Sequence, residues 1–332
     1  MQIKSKIIFI FFILLMSLFL VTKIFAEEFN ISAKEIFMDE KNNILIGKGS
    51  VVAIDSNNRT IKADEITYYK SEEILKAKGS VKIYDNNNNV FLTESATYDK
   101  PQGIITTYKD SELNLENGYK LTTDLIFYNT ANEIISSNKN SIFTDSEGNV
   151  VKVEMFEYQI EKNLFSSIGN IKIIDKDKNK YFFKEFYADT KKKEMIGSEV
   201  SAILDKENFG LSDENDPRFV SNDIYMSKNK SDLSKAIFTV CKNRGKDKCP
   251  PWSLQAKKVT HDKTKKTIFY EHAVLKFYKL PIFYFPKFFH PDPSVKRKSG
   301  FLVPSFTDSS TVGTGFSLPY FWAIDNDKDL TF

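Results

Sequence analysis

The chain has few of the residues on which metal sites and nucleophilic sites depend. Only 2 cysteines and 3 histidines occur among its 332 residues. No Gly-x-Ser-x-Gly, His-Glu-x-x-His or glycine-rich phosphate loop surrounds His261, His272, His290 or Asp292, the side chains that an active site would have to use. We therefore predict that the protein is not an enzyme and that it uses no cofactor or metal ion.

A strong excess of charge of either sign is also missing. The sequence has 47 lysines and arginines against 44 aspartates and glutamates, which gives a formal net charge of +3. Binding to nucleic acid depends on a strongly basic surface, and a chain with this balance does not provide one. We interpret the basic run 296–298 as a solvated or headgroup-facing turn, and we predict no nucleic-acid partner.

Long apolar runs are absent except at the N-terminus. Lys4 and Lys6 precede the apolar stretch 7–21, which is shorter than the roughly 20 residues that span a bilayer as a helix. This is the layout of a secretory signal peptide, and we assign it residues 1–26. An uncleaved anchor is the alternative, because Ile24 is bulky for a cleavage site. Any further membrane insertion would have to be as a β-barrel.

The two cysteines, Cys241 and Cys249, lie close together in an exported chain. No histidine or further cysteine nearby completes a four-ligand metal set, so the pair favours a disulfide. Two pairings stay open: the two cysteines bond to each other, or each bonds to a cysteine that this sequence does not contain.

A repeat of about thirty residues runs from the mature N-terminus to about residue 205. One column of equivalent positions is apolar: Ile36, Ile66, Ala96, Ile126, Phe156 and Phe186. Two residues later comes a column of Met38, Tyr68, Tyr98, Tyr128, Tyr158 and Ala188. A third column is acidic, with Asp55, Asp85, Asp145, Asp175 and Asp205, and Leu115 interrupts it. Each aspartate precedes a polar turn, so we interpret this column as turn chemistry rather than as a calcium ladder.

Each repeat contains two strand-like segments, such as 61–69 and 75–84, which are separated by polar turns. Apolar and polar residues alternate within them, and helical periodicity is absent. Stacked repeats of this kind must bury a shared apolar face, so we predict an all-β rolled sheet with an apolar trough along its length. The trough has two interpretations that the repeat cannot separate: a packed solenoid core, or a conduit for acyl chains.

The segment from Trp252 to Pro304 carries a resemblance to a known family. Its motifs are Leu280-Pro281-Ile282-Phe283-Tyr284-Phe285-Pro286, His290-Pro291-Asp292-Pro293 and Ser299-Gly300-Phe301-Leu302-Val303-Pro304. They resemble the junction between the periplasmic domain and the barrel in the LPS-assembly protein LptD family, also called the organic solvent tolerance family. The repeat is similar to the OstA-type domain that this family shares with periplasmic bridge proteins.

The resemblance implies a domain order. An OstA-type β-jellyroll would occupy residues 27–235 in the periplasm, a disulfide-bearing aromatic connector residues 236–300, and the first strands of an outer-membrane β-barrel residues 301–332. The family ends in a barrel of about two dozen strands, so we expect this sequence to be a fragment. In the best known members the cysteines link the periplasmic domain to the distant end of the barrel, and the close pair here departs from that pattern.

The resemblance also implies the function and the partners. The chain is expected to transport lipopolysaccharide and to insert it into the outer membrane, with an LptA-like periplasmic bridge protein and an LptE-like lipoprotein plug as partners. The alternative is a soluble periplasmic bridge protein, like LptA or LptC, that binds lipopolysaccharide without a barrel. That alternative leaves the aromatic connector and the strand-like C-terminus unexplained.

Three sets of residues are candidates for the functional site. The apolar column predicts that Ile66, Ile126, Phe156 and Phe186 face lipid in the trough, although a bulge could exchange the two faces of a strand. Further candidates are Phe29, Ile31 and Phe37 in an N-terminal edge strand that pairs with the bridge protein, and Pro304 and Pro319. By the resemblance these two prolines form a lateral gate between the first and last barrel strands; alternatively, they merely end strands.

Overall fold

The computed structural model describes residues 29–209, 212–243, 250–292, 295, 297–302, 305–309, 313–325 and 327–332. The signal-peptide prediction for residues 1–26 lies outside these ranges. No helix in the described part of the chain is long and apolar enough to cross a membrane. The structure is built almost entirely from antiparallel strands, which confirms the all-β class that the sequence predicts.

The repeat region forms two strands per repeat, as the sequence predicts. We call β1 to β15 the roll. Its strands are β1 (Asn30–Ser32), β2 (Glu35–Asp39), β3 (Ile44–Ile54), β4 (Thr60–Tyr69), β5 (Ile74–Tyr84), β6 (Val90–Asp99), β7 (Ile104–Asn114), β8 (Lys120–Asn129), β9 (Ile134–Ser137), β10 (Ser141–Thr144), β11 (Val150–Val153), β12 (Phe156–Gln159), β13 (Leu164–Ile174), β14 (Lys180–Asp189) and β15 (Glu194–Ile203).

Successive strands pair in an antiparallel meander. β1 and β2 both pair with β3, and within the described residues they have no partner on their other side. β9 and β10 together occupy one strand position next to β8, and β11 and β12 occupy the next position, beside β13. The turns alternate between opposite ends of the strands, so they form two lines of turns along the roll. We call these two lines of turns the edges of the roll.

The same sheet continues beyond the roll after one turn of 3-10 helix (Lys206–Phe209). Its further strands are β16 (Arg218–Met226), β17 (Lys230–Thr239), β18 (Trp252–Asp262), β19 (Thr267–Phe277) and β20 (Leu280–Pro291). β17 runs through residue 235, so pairing does not stop where the predicted connector begins. Much of that connector is paired strand, and the domain limits given above stay a prediction.

β20 contains the aromatic segment with Pro281 and Pro286. It pairs with β19 alone among the strands described here, so it is an outermost strand of the sheet. Proline is tolerated there because its missing N–H can face the side that has no neighbouring strand. Large apolar side chains on this strand are exposed, including Leu280, Phe283 and Phe289.

The C-terminal segment forms short hairpins. Its strands are β21 (Gly300–Phe301), β22 (Ser305–Ser309), β23 (Gly313–Ser317), β24 (Tyr320–Asp325) and β25 (Lys328–Thr331). β22 pairs with β23, β21 with β24, and β24 with β25.

The long strands of the roll bend in the middle. Gly49 and Ser50 in β3, and Gly79 and Ser80 in β5, have φ angles of 77°, 51°, 79° and 47°. The pairing register shifts at these points. Glycine takes a positive φ without steric strain, and a bulge bends the strand that carries it. The repeated bend lets the sheet curl until its two edges meet.

The bulges also exchange the faces of the even-numbered strands. In β4, Ile61 and Ala63 point into the core before the bulge, whereas Ile66 and Tyr68 do so after it. The shift from odd to even positions keeps one continuous apolar lining on both sides of the bend. Simple alternation would have placed Ile61 and Ile66 on opposite faces.

Candidate functional site

One edge of the roll is made of aspartate turns, and we call it the aspartate edge. Asp55 Oδ1 accepts hydrogen bonds from the backbone N–H groups of Asn57 and Arg59, at 2.9 and 2.8 Å. Asp85, Asp145 and Asp175 repeat this pattern. The acidic column thus stabilises turns, as its position before polar turns predicts.

The opposite edge carries the tyrosine column, and we call it the tyrosine edge. Its turns are joined to one another by backbone hydrogen bonds, for example from Lys100 N to Glu73 O and from Thr130 N to Gly103 O. Because the sheet curls, this edge lies against the aspartate edge. We call the line where the two edges meet the seam.

Hydrogen bonds close the seam at its N-terminal end. Tyr98 Oη donates to Asp55 Oδ2 at 3.2 Å, and Arg59 Nη2 donates to the carbonyl of Thr130 at 3.1 Å. Burial raises the pKa of Tyr98, and the negative charge of Asp55 raises it further. The tyrosine hydroxyl therefore stays protonated and acts as a donor.

A buried ion pair reinforces this end of the seam. Arg59 Nη1 lies 3.2 Å from Asp55 Oδ2, and both side chains are almost completely buried. One repeat further on, burial raises the pKa of Tyr128, and the charge of Asp85 raises it further. The Asp85 and Tyr128 positions thus correspond to those of Asp55 and Tyr98.

Tyr158 continues the seam in the following repeat with different partners. Leu115 replaces the aspartate here, and Asn117 Nδ2 donates to Tyr158 Oη at 3.2 Å. The same hydroxyl lies 3.3 Å from Thr190 Oγ1. The tyrosine column therefore bridges the two edges by hydrogen bonds at Tyr98 and Tyr158, and between them Tyr128 lies near Asp85.

A cavity of about 290 Å³ lies at the next position along the seam. Its apolar lining includes Phe143, Val151, Phe165, Ile173 and Phe186. Its polar lining includes residues of both edges, namely Asp145, Glu147, Asn149, Asp189, Thr190, Lys193 and Glu194. The arrangement is amphipathic, with an aromatic floor and a charged rim.

An ion pair crosses the rim of this cavity from one edge to the other. Lys193 Nζ donates to Glu147 Oε1 at 3.2 Å, and Lys176 Nζ donates to Glu147 Oε2 at 3.4 Å. The hydrogen bond from Lys193 lowers the pKa of Glu147, so this carboxylate stays ionised at neutral pH. All three side chains are largely exposed.

The four predicted lipid-facing residues are buried inside the roll. Ile66 and Ile126 lie in the part that the tyrosines close, and neither has measurable exposure. Phe156 packs against Phe143 with ring centroids 4.8 Å apart. Phe186 lines the cavity. Contact with lipid stays a prediction for all four.

The residues of the predicted edge strand lie in or beside β1 and β2. Phe29 is buried and packs edge-on against Tyr68 and Tyr98. Ile31 is half-buried in β1, and Phe37 is exposed in β2. On the side of β1 and β2 that faces away from β3, no described strand pairs with their backbone. The predicted pairing with the bridge protein requires such an unpaired side.

The remaining candidates are only partly placed. Cys249 and Pro304 lie outside the described residues, so the disulfide and the two-proline gate stay predictions. Cys241 is half-buried. Pro319 lies between β23 and β24, and its carbonyl accepts a hydrogen bond from Leu302 N at 2.8 Å.

The histidines make hydrogen bonds within the sheet. His261 Nε2 lies 2.6 Å from Asp292 Oδ2, His272 Nδ1 contacts Tyr284 Oη at 2.5 Å, and His290 Nε2 lies 2.9 Å from Tyr270 Oη. Across the described ranges, no group of three or more His, Cys, Asp or Glu side chains could hold a metal ion.

Comparison with known proteins identifies several LPS-assembly proteins as relatives. No family model matches the chain. The LPS-assembly protein LptD of Shewanella denitrificans is 35% identical over 149 residues, which cover 44% of this chain and 18% of the relative. LptD of Shewanella oneidensis is 41% identical over 88 residues, 25% of this chain and 11% of the relative. LptD of Yersinia pestis is 36% identical over 98 residues, 28% and 12% respectively.

A solved structure of LptH, the LptA homologous periplasmic component of the lipopolysaccharide transport device from Pseudomonas aeruginosa, is also similar. It superimposes with a TM-score of 0.30 at 16% identity, over 33% of this chain and 80% of that protein.

A bent antiparallel sheet of thirty-residue repeats, curled around an apolar interior, defines the chain as a β-jellyroll protein. It carries an N-terminal LptD-like region, as the resemblance in its sequence indicated. The chain spans less than a fifth of the length of these curated relatives.

The seam and its cavity were not among the predicted site residues. The sequence did contain a signal, because Leu115 interrupts the aspartate column and Ala188 ends the tyrosine column. Its meaning depends on knowing that the two edges meet.

Proposed function

We propose that the chain is the periplasmic lipid conduit and barrel entrance of an LptD-like protein, which delivers lipopolysaccharide to the outer membrane and inserts it there. The observation that carries the proposal is the continuous apolar interior of the roll, from Phe29 to Phe186 and beyond, closed along one side by a seam of non-covalent contacts. The names of the curated relatives support the same function.

The proposed mechanism is transport without bond chemistry. Acyl chains occupy the apolar interior, because their transfer out of water is favourable in proportion to the apolar area buried. The glycan stays outside in water. Since the interior side chains are packed against one another, a chain can pass only if the two edges separate along the seam. The energy for directional movement comes from other components.

The proposed location is the outer membrane, with the roll in the periplasm. Residues 27–235 would form the periplasmic domain, 236–300 the connector, and 301–332 the first barrel strands. The proposed partners are lipopolysaccharide, an LptA-like bridge protein and an LptE-like lipoprotein plug. The protein needs no enzymatic activity for this role.

Depletion of the full-length gene product tests this proposal. Newly made lipopolysaccharide should stop reaching the cell surface, and the gene product should stay with the membrane fraction after a high-salt wash. Surface lipopolysaccharide that is unchanged after depletion would contradict the transport function. Release by high salt, with surface delivery lost, would instead support the soluble bridge.

We expect β1 to bind the bridge protein through strand addition. Within the described residues, no strand pairs with the outer side of β1, and the backbone groups of such an edge strand favour pairing with another strand. A photocrosslinker at Asn30 or Ser32 should capture the bridge protein in cells that make the complete machine. The same crosslinker at Glu185, in an interior strand, is the control. Equal capture from both places, or none from β1, would contradict the expectation.

We expect the two prolines to weaken the pairing between the first and last barrel strands, where the resemblance implies a lateral gate. Each proline removes one backbone donor, and a hydrogen bond in water contributes about 0.5–1.5 kcal/mol. Replacing Pro304 and Pro319 together with alanine should therefore tighten this lateral gate and slow delivery of lipopolysaccharide without preventing folding. Unchanged surface lipopolysaccharide and unchanged antibiotic permeability in the double variant would show that the prolines only end strands.

A further inference from the structure

The tyrosine column closes the seam at a fixed offset along the chain. Tyr98 bonds to Asp55, which lies 43 residues earlier. Tyr128 lies near Asp85 at the same offset. Tyr158 follows the pattern with Asn117, a neighbour of the interrupting Leu115, at 41 residues. In each repeat an aromatic ring fills the gap between the two edges, and its hydroxyl group bonds to a polar side chain on the far edge or lies beside one.

The column ends at Ala188, and the seam is open at this position. The same offset places Asp145 opposite Ala188, and both residues line the cavity of about 290 Å³. Where a tyrosine ring would reach toward Asp145, a single methyl group leaves the space empty. The cavity therefore follows from one small side chain that comes after four successive tyrosines, Tyr68, Tyr98, Tyr128 and Tyr158.

The chemistry of the cavity restricts its occupant. Its floor is aromatic and aliphatic, and the charged groups that line it belong to turns and to the strand ends beside them. A sugar or a phosphate on that floor would lose its hydrogen bonds to water without replacement. An unbranched hydrocarbon chain would bury apolar surface there and leave a polar head at the rim. The volume lies at the lower end of the range for ligand pockets, roughly 300–1,000 Å³, which suits one chain rather than several.

We propose that this cavity is a seam port, through which a single acyl chain passes sideways between the edges of the roll. The inference rests on the proposed function, because it specifies where a lipid would cross the seam. The substrate is one long-chain acyl tail, and it crosses the seam at the gap between Ala188 and Asp145. The tyrosine-closed part of the seam, from Asp55 to Tyr158, has no such gap at rest, so a chain passes there only when the two edges separate.

The ion pair between Glu147 and Lys193 is a latch across the port. It joins the two edges directly above the cavity, and Lys176 holds the same carboxylate from the neighbouring turn. Exposed ion pairs contribute little to stability and are weakened by salt. The latch therefore opens far more easily than the buried pair Asp55–Arg59 at the other end of the seam.

Photolabelling with a fatty acid tests the port without lipopolysaccharide. The full chain is mixed with a long-chain fatty acid that carries a terminal diazirine, irradiated and digested. We expect the label on peptides that contain Phe165 or Phe186. Ala188→Tyr restores the column and should abolish this labelling, whereas Glu185→Tyr adds the same side chain on an exposed position of the same strand and should leave it unchanged.

Labelling that persists in Ala188→Tyr, or that never occurs at the cavity of the unmodified chain, overturns the port. If Ala188→Tyr fails to fold, Ala188→Leu is measured in its place, because leucine fills part of the same space without a ring or a hydroxyl group. Lys193→Gln removes one side of the latch and should increase labelling. Unchanged labelling in that variant overturns the latch.

Surface delivery of lipopolysaccharide, measured in cells with the same variants, separates the port from the proposed function. Lost labelling with normal delivery in Ala188→Tyr overturns the port as a transport element and leaves the conduit intact. Delivery that is insensitive to depletion of the whole protein overturns the conduit, whatever the labelling. Loss of both labelling and delivery in Ala188→Tyr, with both normal in Glu185→Tyr, supports the port.

Discussion

Asp55→Ala is expected to lower the free energy of unfolding by about 3–5 kcal/mol, because removing one partner of a buried ion pair leaves the other charge uncompensated. The guanidinium of Arg59 lies beside Asp55, and the Arg59 residue is only 7% exposed to solvent. The substitution also removes the hydrogen bond from Tyr98 and two bonds from backbone N–H groups. Urea denaturation followed by circular dichroism measures the loss.

Asp145→Ala is the matched control for this prediction. Asp145 accepts the same two backbone bonds, from Glu147 and Asn149, and one from the Asn149 side chain, but it has no arginine partner among the described residues. At about 0.5–1.5 kcal/mol per hydrogen bond, the control should lose clearly less stability than Asp55→Ala. Equal losses in the two variants would mean that the buried ion pair does not stabilise the closed seam.

Phe91→Ala is expected to cost about 3–5 kcal/mol of stability, the usual range for removing a fully buried phenylalanine ring. Phe91 has no measurable exposure, and its ring stacks on Tyr128 with centroids 5.4 Å apart. The loss is measured in the same denaturation experiment. It tests whether the interior is a packed core when no lipid is bound.

Phe182→Ala removes the same ring from a partly exposed position, where it lies near Lys172. Substitutions at such positions usually change stability by less than about 1 kcal/mol. A comparable loss in both variants would argue that the interior is loosely filled. A large difference supports a roll that is closed at rest and that opens only when lipid separates its edges.

The repeat made much of the fold predictable. Two strands per repeat follow from segments such as 61–69 and 75–84, and β4 and β5 occupy nearly these ranges. The aspartate turns were also predictable, because an aspartate before a polar turn accepts backbone hydrogen bonds whatever the surrounding fold. These features depend on contacts between residues that are close in sequence.

The seam could not be predicted from the same pattern. The repeat predicts a rolled sheet, but Asp55 and Tyr98 meet only because several strands bend by similar amounts, and the columns do not give the angle of that bend. They also do not give the position of the bulge that exchanges the faces of β4, where the pairing register shifts between Lys62 and Glu65. The exceptions Leu115 and Ala188 acquire meaning only once the edges are known to meet.

The pairing of residues 252–291 shows a different limit. Pro281 and Pro286 favour an extended segment without a central strand position, and the structure agrees in placing β20 at an edge. The sequence did not reveal that β18 and β19 would extend the sheet up to β20. A proline argues against a strand position that is hydrogen-bonded on both sides. It does not decide whether the strand pairs on one side.

The central claim is that acyl chains of lipopolysaccharide travel inside the roll. The most direct measurement places an aromatic photocrosslinker at Phe156 and Phe186, where it replaces a ring with a ring, and at the exposed Lys62 and Lys82 as controls. In cells that make the complete machine, lipopolysaccharide adducts should form at the two phenylalanine positions and not at the two lysines. Adducts at the lysines without adducts at the phenylalanines would contradict the account.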